Sequence, residues 1–286
     1  MAGIEERVKL LWARRRAPAF AQLSSNVTRE ICLFLPLQMP LVCVDSNRLR
    51  FFDFPQESVF SVPLERSIRV MNCSWATVDN NRVVVCEGGA NGKTHTDNVL
   101  HTVLLLHRSG QVNALPSLIY PHNNPGMVVW RRAVHVFGSF AGPGGERCER
   151  MHLGSTWELL PDMHSPRATF TPAIWRDAIY LCAGHSNTSI ETFDGVTMRL
   201  LEISLVEAGI TVTCVRGDTL LVFTRGYLTT LEGTFRPVAR VARIAKSMLC
   251  PAYTPAVLWN GAVYCASQSM IFKTSPEDGH FILAFS

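Results

Sequence analysis

The sequence predicts an all-β chain built from repeated four-stranded units, preceded by a short α-helical amino-terminal extension. Three observations carry this expectation. A hairpin signature returns five times, an apolar marker returns in step with it, and Gly and Pro punctuate the whole chain. The 286 residues include 47% apolar and 17% charged residues, with 19 Gly and 16 Pro. That balance excludes disorder, collagen and coiled coil, and the spread of Gly and Pro suits many short segments joined by turns.

The hairpin signature occupies residues 74–86, 127–137, 172–182, 212–223 and 255–265. Each copy reads as a strand, a tight polar turn and a second strand rich in β-branched and aromatic residues; Asn260-Gly261 is the strongest turn signal. With Val85, His135, Tyr180, Leu221 and Tyr264 as equivalents, the intervals are 50, 45, 41 and 43 residues. The second marker is an apolar residue shortly after a later turn: Val112, Trp157, Met198, Phe235 and Phe281. Two markers alternating in fixed order imply four short strands per unit, the make-up of one blade of a β-propeller. Residues 41–44, 49–52 and 59–63 read as three strands of an earlier unit, with Phe60 one long period before Val112. The expectation is therefore a single all-β propeller of about six four-stranded blades over 38–286. Its ring should close by pairing of terminal strands, because an open ring exposes two edges.

Some of these residues resemble the Kelch repeat family. Ile179-Tyr180-Leu181-Cys182-Ala183-Gly184 is similar to its Y-x-x-G-G strand. Residues 157–163 followed by Arg167 are similar to its W-x-x-L-P-x-M-x-x-x-R, and Gly88-Gly89 keeps the diglycine. Gly138-Ser139, Thr224-Arg225 and Ser267-Gln268 stand in diglycine positions elsewhere. The resemblance covers about 250 residues, is strongest over 126–200, and implies a non-catalytic protein-binding module.

Residues 1–37 form the extension. Ile4, Val8, Leu11 and Trp12 share one side of a helix, which the basic run 14–16 and Pro18 end. Residues 23–36 resemble the first part of an F-box, with Ser24 in place of the usual Pro; that resemblance implies ubiquitin-ligase components as partners. The most apolar run, 31–44, is broken by Pro36, Gln38 and Pro40. It falls short of the roughly 20 residues a membrane span needs.

Net charge is +4, of which +3 belongs to the first 22 residues. A body so near neutrality carries no electrostatic footprint for nucleic acid. The nine cysteines are dispersed, without a C-x-x-C pair, and several sit in apolar runs. Free thiols, a reducing cytoplasmic setting and no zinc site are expected.

No G-x-S-x-G, P-loop or H-E-x-x-H is present. A copper radical site needs several Tyr and His ligands, whereas only five Tyr occur and two fill core positions. A glycosidase needs two carboxylates at a set separation, and nothing marks out a pair. No catalytic residue, cofactor or metal is expected; a sialidase- or mutarotase-like enzyme is the alternative from another class. His135 reads as a packed strand residue. Loops grouped on a rigid scaffold commonly carry binding residues. The loops 87–98 and 139–146 and the connections 117–125 and 162–169 emerge on one face. Lys93, His95, Asp97, His122, Asn123, Arg147, His164, Arg167 and His185 are the candidate partner-binding residues there.

Overall fold

A computed structural model describes residues 41–53, 58–70, 72–87, 101–140, 145–224, 227–233, 238–243, 256–259, 262–267, 270–274 and 282–285. The expected helical extension, its F-box-like stretch and the Asn260-Gly261 turn lie outside them.

The described chain is a β-propeller. Its first sheet has three strands, β1 (Leu41–Val44), β2 (Arg48–Asp53) and β3 (Ser58–Pro63). Five four-stranded blades follow. The first is β4 (Ser74–Asp79), β5 (Arg82–Cys86), β6 (Val103–His107) and β7 (Val112–Leu115); the second is β8 (Gly126–Trp130), β9 (Ala133–Phe137), β10 (Cys148–His152) and β11 (Glu158–Leu159). Next come β12 (Ala173–Trp175), β13 (Ala178–Cys182), β14 (Ser189–Phe193) and β15 (Met198–Ser204), then β16 (Val212–Arg216), β17 (Thr219–Phe223), β18 (Tyr227–Glu232) and β19 (Val238–Arg243). The last blade is β20 (Val257–Trp259), β21 (Ala262–Ser267), β22 (Met270–Thr274) and β23 (Ile282–Phe285). Every sheet is an antiparallel meander, so consecutive strands are hydrogen-bonded neighbours.

The blade count corrects the expectation of six four-stranded units: five are complete, and the first has three strands among the described residues. A repeated backbone bond identifies which three. In three blades the outgoing connector donates to the carbonyl just before the third strand: Leu118 N to His101 O at 2.9 Å, Met163 N to Glu146 O at 2.9 Å and Leu205 N to Thr188 O at 2.7 Å. The same bond joins Ile68 N to Ser46 O at 2.7 Å, just before β2. β2 is thus a third strand, β1 a second and β3 a fourth. Fully buried β1 matches the second strands β5, β9, β13 and β17, and Phe60 falls on a fourth strand, as its period implies.

The expected closure by terminal strand pairing does not hold among the described residues, since β1 and β23 belong to different sheets. β1 packs on β21 instead, and Phe52 stacks on Tyr264 with ring centroids 5.2 Å apart. Each hydrophobic cluster draws on neighbouring sheets, four of them on two and one on three; Val84, Cys86 and Val103 pack with Met127, Val136 and Met151, for example. A blade buries its faces only against its neighbours, so the core is a ring of such layers.

The described free cysteines Cys43, Cys73, Cys86, Cys148, Cys182 and Cys214 are all buried. Burial pushes the Cys182 and Cys214 thiols up to about 12 and also raises those of Cys73, Cys86 and Cys148. The reactive species is the thiolate. Iodoacetamide at pH 8 is therefore expected to spare these six in the native protein and label them in guanidinium, as read by peptide mass spectrometry. Labelling of Cys182 or Cys214 in native protein would contradict this packing.

His135 occupies the centre of β9, as expected, and is buried among Trp130, Phe137 and Phe193 at centroid distances of 5.8, 6.2 and 6.1 Å. Burial lowers its pKa to about 4, against the hydrogen bond from Nδ1 to Ala133 O at 3.2 Å. The folded state thus binds a proton less readily than the unfolded chain, whose His titrates near 6.5. This contribution to stability is complete above pH 6.5 and is lost as pH falls towards 4. The loss is about 3 kcal/mol at 1.36 kcal/mol per pKa unit. Urea denaturation across that window should show a flatter acid limb for His135→Phe; an unchanged slope would remove His135 as the cause.

Candidate functional site

In an antiparallel meander, the second-to-third loops and the fourth-to-first connectors leave one face, and the remaining turns leave the other. Among the described residues, the first face is therefore built by residues 138–140, 145–147 and 183–188 of the loops and by the 116–125 and 160–172 connectors. Backbone bonds chain its connectors around the axis: Asn124 N to Asn72 O at 3.1 Å, Thr169 N to Asn124 O at 3.0 Å and Thr211 N to Thr169 O at 3.2 Å. Asn72, Asn124 and Thr169 share positive φ values of 56, 50 and 55°, so successive connectors turn alike into their innermost strands.

A buried glutamate with a basic partner, repeated in two blades, pins these connectors. Glu191 on β14 is buried. Its Oε2 accepts His164 N at 2.8 Å and faces His164 Nδ1 at 3.0 Å, and its Oε1 accepts Arg167 Nη2 at 2.5 Å. Arg167, 1% exposed, also donates through Nη1 to Leu181 O, Ala183 O and Ser189 O at 2.8, 3.1 and 3.2 Å. The preceding blade repeats the device with other residues. Glu149 on β10 accepts Ile119 N and Tyr120 N, each at 2.8 Å. His122 lies between Glu149 Oε1 at 3.1 Å and Gly138 O at 2.6 Å, in the place of Arg167. Both its ring nitrogens thus face acceptors, as Nη1 and Nη2 of the guanidinium do one blade on, where the buried Nε has no hydrogen-bond partner. A carboxylate removed from water needs such donors around it.

This geometry corrects three of the candidate residues. His122, Asn123 and Arg167 are buried and hold the loops rather than presenting themselves on them. Asn123 N donates to Ser139 Oγ at 3.1 Å, and its carbonyl accepts Phe140 N at 2.8 Å. Lys93, His95 and Asp97 lie outside the described residues.

Arg147, His164 and His185 do reach the surface, across the boundary between the β8–β11 and β12–β15 blades. Arg147 pairs with Asp162 at 2.7 Å and sits over the Tyr120 ring at 5.1 Å. His164 is held by Glu191 with 47% of its side chain exposed. His185 packs on Phe140 with centroids 4.5 Å apart. Phe140, 40% exposed, and the exposed Ile119 were missed in the sequence. The signal was there: Phe140 is a large aromatic inside a Gly- and Pro-rich loop, where no core position calls for one. The surface combines exposed aromatic and aliphatic groups with an ion pair and two imidazoles, on a backbone fixed by buried charge. That is binding chemistry for a partner of mixed polarity.

Among the described residues, no three His, Cys, Asp or Glu side chains come together as a metal site requires, and no helix is long and apolar enough to cross a membrane. No protein-family model matches the chain, and no curated protein matches it.

Proposed function

We propose that this protein is a Kelch-type propeller that binds a protein partner without catalysis, in a reducing cytoplasmic setting. Its partner would contact the face of the 138–147 and 183–188 loops. The observation that carries this reading is the Phe140–His185 contact across a blade boundary, which leaves an aromatic ring exposed on a scaffold held rigid beneath it. Exposed aromatic anchors dominate interface energetics, and rigid presentation lowers the entropy cost of binding. The Arg147–Asp162 pair beside it supplies polar complementarity. The six buried free thiols agree with a reducing compartment.

Affinity purification with mass spectrometry tests the reading. Tagged wild type is compared with Phe140→Ser/His185→Ala, with Arg147→Glu, and with a chain whose 87–98 loop is replaced. Loss of the same partners from the Phe140/His185 and Arg147 variants is the expected result. A partner set unchanged in all three would overturn the choice of face. If cullin components co-purify with wild type, the partner is ubiquitin-ligase machinery, and the binding is that of a substrate adaptor.

A further inference from the structure

The opposite face carries the two-residue turns between first and second strands, and an ion-pair relay links them from blade to blade. Arg131 lies over the Trp130 ring at 4.1 Å and bonds Asp177 of the next blade at 2.5 Å. One blade on, Arg176 lies over the Trp175 ring at 4.2 Å and bonds Asp218 at 2.9 and 2.7 Å. Strand register places Arg131 and Arg176 first in their turns, and Asp177 and Asp218 second. The rule is that the first turn residue donates to the second turn residue of the following blade.

The relay breaks one step earlier. The β4–β5 turn has Asn80 first, and the β8–β9 turn has Arg132 second. A cation therefore stands where the other blades place the accepting carboxylate, and the residue before it in the relay is neutral. Arg132 is exposed, and its side chain makes no ion pair or hydrogen bond among the described residues. It borders a groove of about 540 Å³ between the β4–β7 and β8–β11 blades, with Val78, Val129, Val134 and Leu153 among its lining. Arg82 and His152 complete the rim. Arg82 is already neutralised by Asp79 at 2.7 Å, so the uncompensated charge belongs to Arg132.

We propose that this groove is a second docking site, independent of the face described above, for a peptide segment of a protein partner. The segment pairs an Asp or Glu carboxylate, taken by Arg132, with an adjacent Leu, Val or Ile side chain laid on the aliphatic floor. A guanidinium matches a carboxylate with two parallel hydrogen bonds, and the volume falls in the range of pockets that seat a few side chains. One uncompensated cation beside four aliphatic side chains does not suit a nucleic acid, which needs several phosphate contacts.

The test probes the full chain with an array of octapeptides that combine Asp or Glu with Leu, Val or Ile at every spacing, each beside its Asn/Gln analogue. A subset of acidic peptides should bind above their analogues and weaken about tenfold with Arg132→Asn, which tolerates the φ of 63° at that turn position. Val129→Thr, a change of one methyl to hydroxyl on the floor, should weaken the same peptides. Arg147→Glu, on the other face, should leave them unchanged and so separates this site from the first. Equal binding of acidic peptides and analogues would overturn the proposal. So would indifference to Arg132→Asn, or equal capture of heparin as a plain polyanion.

Discussion

Replacing Arg167 by Met is expected to destabilise the propeller by about 3–5 kcal/mol, because it strands the buried Glu191 carboxylate without its guanidinium. It also removes the donor from three backbone carbonyls at once: Leu181, Ala183 and Ser189. In a domain of this size the melting temperature should fall by roughly 10 °C. Glu191→Gln should cost less, since the amide still accepts one bond from Arg167 and the remaining buried cation keeps its carbonyl partners. The double variant Arg167→Met/Glu191→Leu should recover part of the loss, because an apolar pair leaves no uncompensated charge. Urea denaturation of the four proteins reads all three comparisons. A double variant no more stable than Arg167→Met would mean that the carbonyl contacts, not the ion pair, carry the effect.

Gly138→Ala should be nearly as damaging, at about 3 kcal/mol or more. Gly138 has a φ of 75°, and a Cβ there would lie well inside van der Waals contact of the Arg167 carbonyl oxygen, with Met163 Cε at 3.0 Å. Its own carbonyl is the acceptor for His122 Nδ1, so any shift that relieves the clash loosens the buried His122–Glu149 pair. Gly154 is the control: its φ is 92°, but nothing lies within 4 Å of the added methyl. Gly154→Ala should thus cost only the conformational penalty of about 1 kcal/mol. Equal losses for the two would show that backbone conformation alone, and not the approach of the Arg167 backbone, makes Gly138 necessary.

The two blades that share this device show why its residues are hard to identify in a sequence. Arg and His in a connector normally face water, and His122 and Arg167 carry no local sign to the contrary. Their partners are 27 and 24 residues away on third strands, and only the meander brings them together. One sequence signal was available. A basic residue at 122 and 167 and a glutamate at 149 and 191 recur with the blade period, and periodic recurrence marks structure more than a binding surface. Arg147, His164 and His185 recur in no such way, and they do reach solvent.

The alternation of hairpins and apolar markers is local information. Strand, turn and strand follow from residues a few positions apart, so the propeller class, the positions of its second strands and the shared face of its loops and connectors were settled by the sequence alone. Which sheets are complete, how the ring meets itself and which charges are compensated depend on contacts between blades. Asp177 accepts Arg131 across 46 residues, whereas Arg132, at the same turn position one blade earlier, has no ion-pair partner among the described residues, and no local window of sequence shows either outcome. That decision belongs to the tertiary structure, because ion pairs form by distance in space while the period of the chain records only distance along it.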